Sequence, residues 1–190
     1  MDLIGIIDDD ARNQAGIRAV RGFIREDPGR VLTLALRRLG YFFGLEKRLL
    51  IYFYGNNYLG YLPPPVLLAL MAVVMLPFAV IALSAVWGGL LAWCKETGLV
   101  GLIGLGYLLP HLVTISEERF HLALVPFLAI FAAQAWARAP EVRRARPWLL
   151  ALAALLCVLL LANWGFDLWL DRARLAQIFT PTGNQSRFWY

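Results

Sequence analysis

Between two strongly apolar stretches, Leu102 to Ile115 and Leu122 to Ala137, the chain carries a short knot of ionisable residues: Glu117, Glu118, Arg119 and His121, with His111 inside the first stretch. Each flank is too apolar for a water-facing helix, so the natural reading is a membrane hairpin. A glutamate or arginine at a bilayer centre costs roughly 2.5 to 3.5 kcal/mol on insertion scales, which places the knot where the hairpin turns at the surface or lines a wet cavity. Chemistry is sought there first. A second acidic group, Asp8-Asp9-Asp10, has the residue type for a general base or a metal ligand. Because it stands directly before a helical pattern, it is read as an exposed acidic N-cap instead.

The elements that must position these residues follow from composition. Hydrophobic residues make up 60% of the chain and charged ones 16%, with a mean hydropathy of +0.62. Soluble domains carry about 25% charged residues, so the expected class is an all-α, polytopic membrane protein. Cys94 and Cys157 lie far apart at or within apolar spans and are expected to pack rather than pair. The net charge of +5 comes from basic residues beside apolar spans with no nucleic-acid motif, which points to membrane lipids and their anionic headgroups. No Gly-rich phosphate loop, metal-ligand spacing or strained Ser turn occurs, so no cofactor is expected and no metal-binding residue is assigned.

Residues 1–62 read as basic amphipathic helices lying in the interface. Met1 to Asp10 lacks the basic start of a signal peptide, so internal spans are expected to drive insertion. Ile17, Val20 and Ile24 form a stripe beside Arg12, Arg18, Arg21 and Arg25. Asp27-Pro28 is a helix stop and restart, after which Val31, Leu32, Ala35, Leu39, Phe42 and Phe43 share a face with Arg30, Arg37 and Arg38 off it. The run Tyr52, Phe53, Tyr54, Tyr58 and Tyr61 is expected at headgroup depth, as are Trp87, Trp93, Trp136, Trp148, Trp164 and Trp169 near span ends. Residues 63–170 read as a bundle of about four spans, 66–93, 99–115, 122–137 and 148–169, with Gly101 and Gly104 permitting close helix contact. A polar tail, 171–190, closes the chain. Four spans put the Glu117 to His121 turn on the side of both termini, and the dense basic loop Arg138 to Arg146 then marks the cytoplasmic side.

The run HLVTISEERFHLALVPFLAIFAA, His111 to Ala133, and the run FIREDPGRVLTLALRRLGYFFG, Phe23 to Gly44, resemble the late membrane segments of the GT-C superfamily. These are polyprenyl-phosphate-sugar-dependent glycosyltransferases, among them protein O-mannosyltransferases and aminoarabinose transferases. There a span ending in His is followed by a short turn, an Arg-Tyr pair and a Pro-containing apolar run. Here the pair is Arg119-Phe120 with Pro126 following, and Ala123 stands where a Pro is common. The resemblance covers roughly Gln14 to Arg138.

What the resemblance implies is a multi-pass protein of the plasma (inner) membrane, corresponding to the C-terminal part of such an enzyme. Its donor would be a polyprenyl-phosphate sugar and its partner the N-terminal half. That half carries the family's catalytic carboxylate, in a loop after the first span, and no residue here matches it. Asp8 to Asp10 have no span before them, and no catalytic residue is assigned. The implied lipid-phosphate or substrate-binding residues are Arg119, stabilising the leaving phosphate, Glu117 or Glu118 orienting it, and His111 and Phe120 facing the same cavity. His121 is the lesser candidate. The alternative is a small non-enzymatic membrane subunit or scaffold that packs against another membrane protein through Gly101 and Gly104.

Overall fold

In the computed structural model of the chain, residues 8–92, 94–113 and 118–185 are described, the side chains of Arg12, Arg48, Leu49, Glu96, Glu118 and Arg119 excepted. The described residues are almost entirely helical. Helix α1 (Asp9–Glu26) begins where the Asp8 carboxylate accepts the Asp10 and Ala11 N–H groups, both at 3.3 Å, so the acidic triplet starts a helix. Asp27 ends α1 and caps α2 (Pro28–Phe42), its Oδ1 accepting the Arg30 N–H at 2.8 Å. Pro28 takes the first helical position, where a missing N–H costs nothing.

Three helical stretches are long and apolar enough to cross a membrane. They are α4 (Pro64–Leu91), residues Phe120–Ala137, and α8 (Pro147–Leu170). The middle one combines a 3-10 turn (Glu118–Leu124) with α6 (Val125–Ala137). This is a multi-pass membrane protein.

The fourth predicted span, 99–115, falls on α5 (Lys95–Val113). Lys95 and Glu96 open it with charge, and its apolar part among the described residues, Thr97–Val113, is shorter than the three stretches above. Trp93, Thr114 and Ile115, which the predicted spans included, lie outside the described residues. Two neighbouring helices hold α5. Cys94, just before it, accepts a hydrogen bond from Gln134 of α6 at 3.3 Å, and its last carbonyls meet Arg38 of α2.

The most extensive packing joins α4 to α6. Gly88 makes it possible, since a Cβ there would overlap the Phe131 carbonyl of the facing helix. Such backbone-to-backbone contact needs a residue without a side chain. Gly104, expected to play this part, meets only a Leu124 methyl at van der Waals distance.

At roughly 42 Å, α4 exceeds a hydrocarbon core of about 30 Å. Its first part is covered by α3 (Lys47–Gly55) and α9 (Arg172–Ile178), with Leu50, Ile51, Tyr54, Leu67 and Ile178 forming one core. Leu45, Phe78, Ala82 and Trp164 form a second core further along. Between α6 and α8, helix α7 (Ala139–Arg143) occupies the basic loop.

Two of the aromatic residues expected at headgroup depth are covered by these cores. Tyr54 and Trp164 are buried, whereas Tyr52, Phe53, Tyr58, Tyr61, Trp136, Trp148 and Trp169 are exposed. The exposed faces of α4 and α8 are apolar, with Leu68, Val73, Leu76 and Val80 on one and Leu155, Val158 and Leu159 on the other. Hydrocarbon suits such faces, because helices satisfy their own backbone groups there.

Candidate functional site

Helix α2 joins the basic N-terminal segment to the bundle, and the sequence-selected residues gather at its end. The last carbonyls of a helix lack intrahelical donors, and a cation is favoured at a helix C-terminus. Arg38 supplies both needs. It donates to the Leu112 carbonyl at 3.1 Å and also to Val113. The pattern of apolar residues placed Arg38 off the packed face of α2, but it turns inward while Leu32 points out. A long aliphatic stem with a polar head can pack inward and still reach carbonyls, which is how hydropathy alone misplaces arginine.

Beside this cap His111 sits among aromatic rings: Phe120 stacked on it at 4.8 Å, Tyr107 at 4.8 Å and Phe42 at 5.6 Å. The Tyr107 hydroxyl donates to the Phe120 carbonyl at 3.2 Å, tying α5 to the 3-10 turn. The structure thus brings two of the five predicted site residues, His111 and Phe120, into contact. Arg119 and Glu118 precede Phe120 in the same turn; their side chains, and Glu117 altogether, lie outside the described residues.

His121 is more central than its sequence context suggests. It is 0% exposed, stacks on Phe78 at 3.9 Å and faces the Phe42 carbonyl through Nδ1 at 2.9 Å. That contact requires Nδ1–H, so Nε2 is the nitrogen directed at the Glu46 carboxylate 3.8 Å away. His121 therefore locks the start of the middle stretch to the α2–α3 joint.

Next along the chain is an ion cluster that sequence reading did not find. Lys47, 1% exposed, pairs with the carboxylates of Asp167 and Asp171, the latter at 2.9 Å. Its ammonium also donates to the Asp167 carbonyl at 3.3 Å, and Asp171 further meets Arg174 at 3.5 Å. The partners are far apart in sequence, so no spacing announces them. One signal was legible: Asp167 and Asn163 fall within an apolar span, and an ionisable residue there needs a partner.

Two further bonds seat α8 against α2. Trp164 Nε1 donates to the Phe43 carbonyl at 2.6 Å, and Asn163 Nδ2 donates to the Gly40 carbonyl at 3.0 Å. A Cβ on Gly40 would come within 2.7 Å of Asn163 Oδ1, so Asn163 would have to shift to admit one. Trp164→Phe keeps the ring but strands the Phe43 carbonyl. It is expected to lower stability by about 1 to 3 kcal/mol in a detergent unfolding titration, and an unchanged midpoint would contradict this.

No group of three or more His, Cys, Asp or Glu able to hold a metal occurs among the described residues. The site is instead a cationic and aromatic lining within a helical membrane bundle, with Arg38 held by the α5 carbonyls and Lys47 held by buried carboxylates. The class that fold and site define is an all-helical, multi-pass membrane protein. No family model matches the chain, and neither a curated protein nor a solved structure does.

Proposed function

We propose that this chain is the lipid-phosphate-binding membrane portion of a sugar-transferring enzyme of the GT-C kind, with α5 as a fourth crossing and α1 and α2 lying in the interface. The donor is a polyprenyl-phosphate sugar, and the catalytic carboxylate comes from outside these residues. The observation that supports this reading most is the gathering of His111, Phe120 and the Arg38-capped end of α5 at the turn that carries Glu118 and Arg119.

In this reading Arg119 meets the phosphate as it leaves the sugar. A guanidinium fixed at an interface lowers the energy of the developing negative charge without reorganising, and it can hold two phosphate oxygens at once. Glu118 or Glu117 orients Arg119. His111 offers a hydrogen bond from within its ring stack, and Phe120 supports that ring.

The test is binding of a polyprenyl phosphate by the chain in nanodiscs, followed by native mass spectrometry. Wild-type protein should retain one such lipid in preference to the matching polyprenol. Arg119→Ala should weaken retention about tenfold, the loss of one charge-assisted hydrogen bond. His111→Phe, which keeps the stack, should weaken it less while leaving helicity intact. Equal retention of phosphate and alcohol by the wild type sinks the proposal.

A further inference from the structure

Arg37 and Arg38 are neighbours in sequence and look interchangeable, but a helix sends them to different neighbours. Arg38, with Phe42, faces α5 and the His111 rings. Arg37, with Thr33, Leu36, Gly40 and Tyr41, faces α8 across an open cleft of about 570 Å³ whose far wall is Asn163, Phe166, Asp167 and Leu170. Arg37 has no hydrogen bond, ion pair or ring contact among the described residues. The other charge lining the cleft, Asp167, is already met by Lys47.

The remaining polar groups are mostly committed too. The Thr33 hydroxyl donates to the Gly29 carbonyl at 2.9 Å, and the Asn163 amide to Gly40. The cleft therefore offers one uncompensated guanidinium, with the Tyr41 hydroxyl one helical step away. Its apolar walls, Leu36, Phe166 and Leu170, are exposed, and two of them belong to a helix long and apolar enough to span a membrane. A ligand complementary to this surface has an anionic head for Arg37 and hydrocarbon for Phe166 and Leu170.

We propose that the α2–α8 cleft binds one anionic membrane phospholipid, its phosphate on Arg37 and its acyl chain along Phe166 and Leu170. Basic pockets between membrane helices bind anionic headgroups in this manner. The site lies on the opposite side of α2 from the His111 rings and does not depend on the sugar-transfer reading. A bound lipid here would wedge α2 against α8 and add to the Asn163 and Trp164 bonds.

The probe is phosphatidylglycerol, offered to the full chain in phosphatidylcholine nanodiscs and read by native mass spectrometry after progressive delipidation. Wild-type protein is expected to keep one phosphatidylglycerol after phosphatidylcholine is gone. Arg37→Gln should lower that retention about tenfold, Arg37→Lys should preserve most of it, and Arg21→Gln on α1 should leave it unchanged. Phe166→Ser should lower it through the acyl chain alone. Equal retention of the two lipids by wild-type protein overturns the proposal without recourse to any variant, as does unchanged retention in Arg37→Gln. Displacement of the lipid by inorganic phosphate also overturns it, because the cleft would then be a bare anion site. Polyprenyl phosphate binding by Arg37→Gln should match wild type, which separates this cleft from the one at Arg119.

Discussion

Lys47→Met is expected to destabilise the folded chain by about 3 to 5 kcal/mol, the range found when one partner of a buried ion pair is removed. The lysine is 1% exposed, and its two carboxylate partners are only 17% and 21% exposed. Taking away the ammonium leaves two carboxylates side by side with little water to screen them. The attraction lost is not the whole effect, because the surviving charges also lose the partner that offset their desolvation.

A compensating variant makes the test specific. Lys47→Met with Asp167→Asn and Asp171→Asn removes all three charges and should recover most of the loss, since a buried ionic group is often no more stabilising than a neutral replacement. Midpoints of unfolding in a graded denaturing detergent would measure both. A single variant as stable as wild type, or a triple variant no better than the single, would show that the cluster does not hold α3 to α8.

Gly88→Ala is expected to cost about 3 kcal/mol or more, at the upper end of overpacking penalties. The atom in the way is the Phe131 carbonyl oxygen, part of the α6 backbone, which cannot rotate aside as a side chain would. To admit one methyl group, α4 and α6 must separate along their main contact. The expected gain in helix propensity, about 1 kcal/mol from glycine to alanine, is too small to compensate. Gly104→Ala supplies the contrast: only a Leu124 methyl stands 3.9 Å from the new Cβ, so the same substitution should be neutral or slightly stabilising there. Finding the two variants equally destabilised would contradict the packing described here.

These two effects bear on the proposed site because both lie in what supports it. The α4–α6 contact fixes α6, whose leading turn carries Phe120 and His121. The Lys47 cluster fixes the joint between α2 and α3, from which Phe42 reaches His111 and His121. Weakening either support should loosen the ring stack around His111 before any residue in it is changed. A side chain meant to meet a phosphate at a membrane surface needs such backing, since loose positioning forfeits electrostatic preorganisation.

Much of this protein was determined by sequence alone, for local reasons. Apolar run length marks α4, α8 and the stretch ending at Ala137 as membrane-spanning, because hydrocarbon admits only long runs without charge. Asp8 and Asp27 mark the starts of α1 and α2 because a capping carboxylate acts within three residues of itself. The aromatic and ionisable character around His111 and Phe120 was legible in the same way.

Tertiary structure decided what depends on partners remote in sequence. Periodicity cannot say that Arg38 turns to the α5 carbonyls while Arg37 turns to the cleft, since both choices suit an interfacial helix. Hydropathy ranks Trp164 and Tyr54 with the belt aromatics, yet each is buried because another element supplies both its cover and a carbonyl for its polar atom. The glycines of α5 and Gly88 of α4 look alike as letters, and only the crossing point of two helices selects which one touches backbone. Lys47 shows the reason most plainly: a buried cation is tolerable only with its counter-charges in place, and those arrive from α8 when the bundle closes.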